Sequence, residues 1–355
     1  MIEAVAYSNA MDRKALGAAE PLGFGATFSD HMLLAEFAAD LGWHSQLIQP
    51  YGPLFLDPAT MALHYGQAVF EGIKAFRGDD GSVRLFRPQK YIERLVASAQ
   101  RLCIPPPEPD QLLQWLLDLV RLDEAWVPRT RGSSLYIRPT IIASDAALGV
   151  RPSRSYLLFA IASPVDSYYG EAMAPVRIRV EEDYVRAVDG GVGVAKTGGN
   201  YAASLAAAEA AHEAGFTQVL WLDGKERRYL EEIGTMNVML RIGDEVITPN
   251  LSGSILAGVI RDSALTLMRD WGLQVSEQPV AIDEVIGAAK KGTLREVWGS
   301  GTAAGIAPVS ELSYRDESFI INEGRPGEVS VLLYAALSDI QYARVADTRG
   351  WTVEA

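Results

Sequence analysis

Strand-forming runs follow one another in this chain without a helix regularly placed between them, and that order restricts the fold most. "SLYIRPTIIA" (134–143) and "SYLLFAIASPV" (155–165) both read as strands. "AVFEGIKAFRG" and "VRLFRP" flank the turn "DDG" at 79–81 and read as a hairpin. Helical periodicity appears in "RPQKYIERLVASAQRL", which stops before Pro105, Pro106 and Pro107, and in "DQLLQWLLDLVRL". A doubly wound dinucleotide fold needs strand and helix to alternate strictly. The order here predicts an irregular α/β or α+β architecture instead.

The second half repeats the mixture. "VRIRVEE" and "QVLWLDG" are strands, and "YLEEIGTMNVMLRIGDEVITP" reads as strands with turns at Gly234 and Gly243. "SGSILAGVIRDSALTLMRDWG" is a glycine-bearing turn leading into a helix, and "LREVWGSGTAAGIAPVSEL" a strand running into a small-residue turn. A length of 355 residues exceeds one ordinary core and predicts two domains. "PVDSYYGEAMAP" has no periodicity and a proline at each end. It marks the expected connection, giving a domain at 1–165, a loop at 166–175 and a second domain at 176–355.

Net charge is −13 and no Lys/Arg-rich run occurs, which argues against nucleic acid and anionic membrane as partners. Cys103 is the single cysteine, so an internal disulfide framework and a cysteine-based zinc site are excluded. His31, His44, His64 and His212 are scattered, without metal-ligand spacing, and no metal is expected. No signal peptide is evident and no apolar run approaches the roughly 18 residues of a membrane span, so the expected address is cytoplasmic.

"GGVGVAKTGGNYAAS" places Lys196 in a glycine-rich backbone directly before the Ala-rich run "AASLAAAEAAHEAG". A flexible hinge, a phosphate loop and a reactive lysine all fit that pattern. A lysine amine is nucleophilic only when deprotonated, through burial or nearby positive charge, or it forms a Schiff base with a cofactor aldehyde. Two other turns suit an anion. "SGSILAGVIRDS" would present free N–H groups at a helix start, and "GSGTAAG" adds the hydroxyl of Thr302. Neither carries the Gly-Lys-Ser/Thr ending of a P-loop nor a dinucleotide fingerprint. Glu231 and Glu232 stand in an apolar run, where strand alternation predicts one facing solvent and the other facing inward. A lysine, a carboxylate, a phenol and phosphate-binding turns are the parts that a pyridoxal-phosphate site requires.

Seven segments, in order, carry a resemblance: "FGATFSDHML", "LHYGQAVFEGIKAFRG", "RLFRPQKYIERL", "LYIRPTIIASDAALGV", "AKTGGNYAASL", "LEEIGTMNVML" and "GSGTAAGIAPV". The sequence resembles the branched-chain amino acid aminotransferases, pyridoxal-phosphate enzymes of fold type IV. The resemblance implies a small N-terminal α/β domain and a larger C-terminal pseudo-barrel domain binding pyridoxal 5'-phosphate. It also implies ping-pong amino transfer between L-leucine, L-isoleucine or L-valine and 2-oxoglutarate, with L-glutamate and the 2-oxo acids as counterparts, and a homodimer. In the family's pattern Lys196 is the Schiff-base lysine and the proton carrier. Tyr201 meets the ring hydroxyl, Glu232 the pyridine nitrogen, and Arg94, Val259, Ile260 and Thr302 the phosphate. Phe24, Tyr65, Phe70, Tyr136, Tyr168 and Thr235 match a largely apolar substrate pocket. Thr235 also falls beside the cofactor. Arg138 matches an arginine for the distal carboxylate of glutamate, and Ala303 and Ala304 the turn that takes the α-carboxylate. Some members carry Cys-x-x-Cys where this chain has Ala304 and Ala307, so thiol regulation there is not expected. The alternatives on the same fold are a D-amino acid aminotransferase or an aminodeoxychorismate lyase. From another class, the alternative is a non-enzymatic protein binding a phosphorylated ligand.

Overall fold

The computed structural model describes residues 3–4, 22–169 and 173–355. Of the connection expected at 166–175, residues 170–172 lie outside the described residues. Two compact units result. One takes Met1–Gly170, Ala195–Gly198 and Asp339–Ala355, and the other Glu171–Val194 and Gly199–Ser338. Two short pieces of the expected 176–355 span thus group with the first unit. Long-range pairing recruits both, which no local composition shift reveals.

The first unit is a mostly antiparallel sheet. Its strands are β1 (Glu3–Ala4), β2 (His31–Ala38), β3 (Gly42–Pro50), β4 (Ala68–Phe70), β5 (Ile73–Arg77), β6 (Val83–Phe86), β7 (Ser134–Ala143) and β8 (Ser155–Val165). They lie in the order β1-β3-β2-β8-β7-β5-β6, with β4 beside β7. The strand Thr352–Glu354 is added antiparallel to β6. Helix α1 (Met61–Tyr65) follows β3. The amphipathic helices α2 (Pro88–Arg101) and α3 (Pro109–Leu122) pack on each other and on β4 and β2. Tyr91, Ile92, Leu95 and Ala99 of α2 and Leu112, Leu116 and Leu119 of α3 are buried there, the one-sided stripe expected of surface helices.

"AVFEGIKAFRG" forms two strands where one hairpin arm was expected. Pro139 explains the break. Pairing of β4 with β7 ends at Phe70↔Thr140 and that of β5 with β7 starts at Ile73↔Ile137. The missing N–H of Pro139 falls in the gap, so no ladder bond is lost. The gap turns Glu71 inward, with its N–H donating to Pro139 O at 2.8 Å.

The second unit contains β9 (Val176–Glu181), α4 (Gly198–Ala202), α5 (Leu205–Glu213), β10 (Gln218–Leu222), β11 (Leu230–Ile233), β12 (Met236–Ile242) and β13 (Glu245–Thr248). There follow α6 (Val259–Asp270), β14 (Val275–Glu277), α7 (Ile282–Lys290), β15 (Leu294–Gly301), β16 (Gly305–Tyr314), β17 (Glu317–Ile320) and α8 (Glu328–Gln341), the last residues of α8 falling in the first unit. The path β11-β10-β9-β16-β15-β12 closes on itself because β11 also pairs with β12. This closed ring is the expected pseudo-barrel, with β13, β14 and β17 attached outside it. Among the described residues, no helix is long and apolar enough to cross a membrane, and no group of His, Cys, Asp and Glu could hold a metal ion.

Ring closure depends on the turn between Ile233 and Met236, which pair directly. Gly234 takes φ +56 there, and a Cβ on it would strike the carboxamide of Gln218. Gly234→Ala is expected to lower stability by about 1–2 kcal/mol through the left-handed backbone alone, with a further steric loss. In thermal unfolding, adding Gln218→Ala should restore only the steric part.

Candidate active site

Lys196 sits in a fixed backbone. Its N–H donates to Ser98 Oγ of α2 at 2.9 Å and its carbonyl accepts from Phe70 N–H at 3.0 Å. Thr197 Oγ1 donates to Ala68 O at 2.7 Å. The hinge reading of the glycine-rich loop is thereby excluded at the lysine itself. The Lys196 amine lies 4.8 Å from the centre of the Phe70 ring. Burial pushes its pKa below the ordinary lysine value. Glu71 opposes that shift, and the charge of Arg94 adds to it.

Around Phe70 the first unit gathers most of the predicted pocket. The Arg138 guanidinium lies 4.7 Å over Phe70, and its Nη2 donates to Tyr136 Oη at 2.9 Å. Phe24 packs against Tyr136 at 5.0 Å and edge-on against Tyr168 at 4.9 Å. Tyr136 comes this close only because Gly72 has no side chain, since a Cβ there would overlap the phenol. Tyr65 stands elsewhere. It donates to Leu148 O at 2.5 Å and is 39% exposed.

Arg94, one turn before Ser98 on α2, is gripped by a residue that sequence reasoning missed. Its Nε donates to Glu71 Oε1 at 2.7 Å and its Nη2 to Glu71 Oε2 at 2.9 Å. Glu71 is fully buried, and such a two-pronged pair fixes the plane of the guanidinium. "FEGI" held no sign of this, because the contact depends on the break in the strand.

The remaining predicted residues lie in the second unit. Arg186, Asn200, Tyr201, Glu232 and Thr235 line one cleft. Glu232 Oε1 accepts from Leu256 N–H at 2.8 Å, and its Oε2 is 3.4 Å from Arg186 Nε. An N–H donor and a guanidinium thus face the two oxygens of this buried carboxylate. Arg186, in "DYVRAVDGG", was not singled out in the sequence. Val259 and Ile260 open α6, whose N-cap Gly258 supplies no side-chain bond, so the first-turn amides suit an anion. Thr302, Ala303 and Ala304 form the turn between β15 and β16, and Ala307 follows, buried on β16. Small residues are needed before that turn, since Met236 packs where side chains of Gly299 and Gly301 would stand.

One expectation is corrected. Glu231 and Glu232 are both buried, each 3% exposed. Alternation does send them to opposite faces, yet neither face is open to solvent. Glu231 accepts from Ser254 Oγ and lines a separate cavity of about 360 Å³. Burial pushes its pKa up to about 7, with Ser254 and Arg186 opposing and Glu232 and Asp223 adding.

This arrangement has counterparts. Residues 68–312 match the model of the amino-transferase class IV family. The chain is 54% identical over 333 residues to branched-chain-amino-acid aminotransferase 2 of Bacillus subtilis (strain 168), covering 94% of this chain and 92% of that protein. It is 51% identical to branched-chain-amino-acid transaminase 1 of the same organism, covering 94% of each. The fold matches the branched-chain amino acid aminotransferase of Escherichia coli, with TM-score 0.74, 26% identity and coverage of 92% of this chain and 98% of that one. The chain therefore belongs to the class IV aminotransferases, and within them to the branched-chain amino acid aminotransferase family.

The Glu231 carboxyl gives a pH test. A carboxyl with a raised folded pKa adds stability that is complete below its unfolded value near 4.5 and is lost as pH rises through about 7. Glu231→Gln has no charge to bury. Its stability relative to wild type should rise by roughly 2–3 kcal/mol between pH 5 and pH 8, read from unfolding curves at both pH values.

Proposed function

We propose that this chain transfers amino groups between branched-chain L-amino acids and 2-oxoglutarate, using pyridoxal 5'-phosphate bound through Lys196. The observation that carries the reading is Lys196 itself. Its amine is shifted toward the neutral, nucleophilic form, and its backbone is fixed on both sides beside Arg138 and an aromatic cluster. The donor set fits the cofactor. A buried carboxylate with an arginine behind it suits a pyridine nitrogen, and the amides at the start of α6 suit a phosphate.

When bound, the cofactor supplies an aldehyde and an electron sink that allows the substrate Cα–H bond to break. Lys196 Nζ would hold the aldehyde and would be the group that carries the substrate Cα proton. Glu232 would face the ring nitrogen, with Tyr201 at the ring hydroxyl and Thr235 beside it. Arg94, oriented by Glu71, would serve the phosphate, as would the Val259 and Ile260 amides and the Thr302 hydroxyl. Phe24, Phe70, Tyr136 and Tyr168 offer area to an aliphatic side chain, while Arg138 meets the second carboxylate of glutamate. The Ala303 and Ala304 turn takes the α-carboxylate.

The reading includes a homodimer working in the cytoplasm. Tyr65 then serves the pocket of a neighbouring subunit. Leu63, Tyr65, Leu148 and Val150 are exposed apolar residues on two segments joined by the Tyr65–Leu148 bond, the kind of patch a partner covers.

An amino-donor screen with 2-oxoglutarate tests the substrate, and turnover of L-leucine, L-isoleucine and L-valine is expected. Use of D-alanine without L-leucine would move the chain to the D-amino acid branch of the fold. Borohydride reduction of protein loaded with pyridoxal phosphate should leave an adduct on Lys196, which a non-enzymatic ligand-binding protein would not give. Lys196→Ala should lose at least roughly 10²–10⁴-fold in turnover, and Glu232→Gln should lose far more than Glu231→Gln.

A further inference from the structure

The two buried carboxylates of β11 point to different cavities, yet one short segment serves both. Ser254 Oγ donates to Glu231 Oε1, and Leu256 N–H donates to Glu232 Oε1 at 2.8 Å. Between them the Ser254 carbonyl accepts from Arg186 Nη2, while Nε of the same guanidinium lies 3.4 Å from Glu232 Oε2. Glu231, Ser254, Arg186 and Glu232 thus form one continuous buried chain of polar contacts. The backbone around it is built to admit it. A Cβ at Gly193 would collide with the Ser254 carbonyl, and one at Gly253, held at φ +96, would collide with Asp189.

We propose that Glu231 is a positioning residue for Glu232, acting through Ser254 to fix the segment that presents Arg186 and the Leu256 amide to that carboxylate. The proposal rests on the reading of Glu232 as the partner of the cofactor's ring nitrogen. Glu231 itself faces the cavity lined by Asp223, Lys225 and Tyr229, away from the cleft of Tyr201 and Thr235. Its contribution is therefore indirect. It needs only to accept the serine hydrogen bond, a task that a neutral side chain performs equally well. Without that acceptor the Ser254 hydroxyl loses its anchor, its carbonyl can shift, and Arg186 and the Leu256 amide lose their aim at Glu232. In a buried network such losses pass from one bond to the next.

The test titrates cofactor-free wild type, Glu231→Leu, Ser254→Ala and Glu231→Gln with pyridoxal phosphate and with its 1-deaza analogue, in which a C–H replaces the ring nitrogen. Glu231→Leu and Ser254→Ala should each weaken pyridoxal-phosphate binding about tenfold and leave the analogue unchanged. Glu231→Gln should stay within about twofold of wild type for both ligands, as a conserved acceptor requires. Equal weakening for both ligands, no weakening, or a loss in Glu231→Gln equal to that in Glu231→Leu overturns the proposal and leaves the site reading standing. Wild type that fails to bind pyridoxal phosphate overturns the site reading and the proposal with it.

Discussion

Closure of the second sheet at the β11–β12 turn is the constraint on which the rest of that unit depends. An open sheet leaves two rows of unpaired backbone groups and one face for solvent. Pairing β11 with β12 removes both edges of the ring at once. Both adjacent glutamates of β11 are buried, and Ser254 and Leu256 of one segment contact them both. A buried carboxylate is costly unless it is paired or protonated. The two sites take different solutions. Glu232 has Arg186 and an amide, while Glu231 has a serine and an upward-shifted pKa.

The first unit solves a related problem around a cation. The Lys196 amine is buried near two arginines, an arrangement that disfavours its protonated form. Glu71 offsets part of that repulsion while gripping Arg94. The aromatic faces of Phe70 and Tyr136 take up Arg138. Positive charge is thus concentrated beside a surface of aromatic rings.

Much of this was legible in the sequence, for reasons of range. β7, β8, β9, α2 and α6 rest on local periodicity and on turn residues, and they lie where the pattern places them. The turns at Gly234 and Gly243 were readable because positive φ demands glycine. Lys196, Tyr201, Glu232 and Thr302 could be singled out because each sits in a distinctive local motif. Glu71, Arg186 and Ser254 have no such motif. Their meaning comes from partners 23, 46 and 23 positions away in the chain, and only folding supplies those. Burial of both Glu231 and Glu232 was illegible for the same reason, since strand alternation fixes direction but says nothing of what covers each face.

The strand Thr352–Glu354, which we label β18, pairs with β6. Its neighbour Trp351 accepts the Arg87 N–H at 2.5 Å and stacks beneath the Arg87 guanidinium at 4.7 Å. The sheet that begins the chain therefore stays unfinished until residue 354 has been made. That pairing joins Phe86 to Thr352, positions 266 apart (352 − 86), with the whole of the second unit between them in sequence, so it carries a large loop-closure entropy.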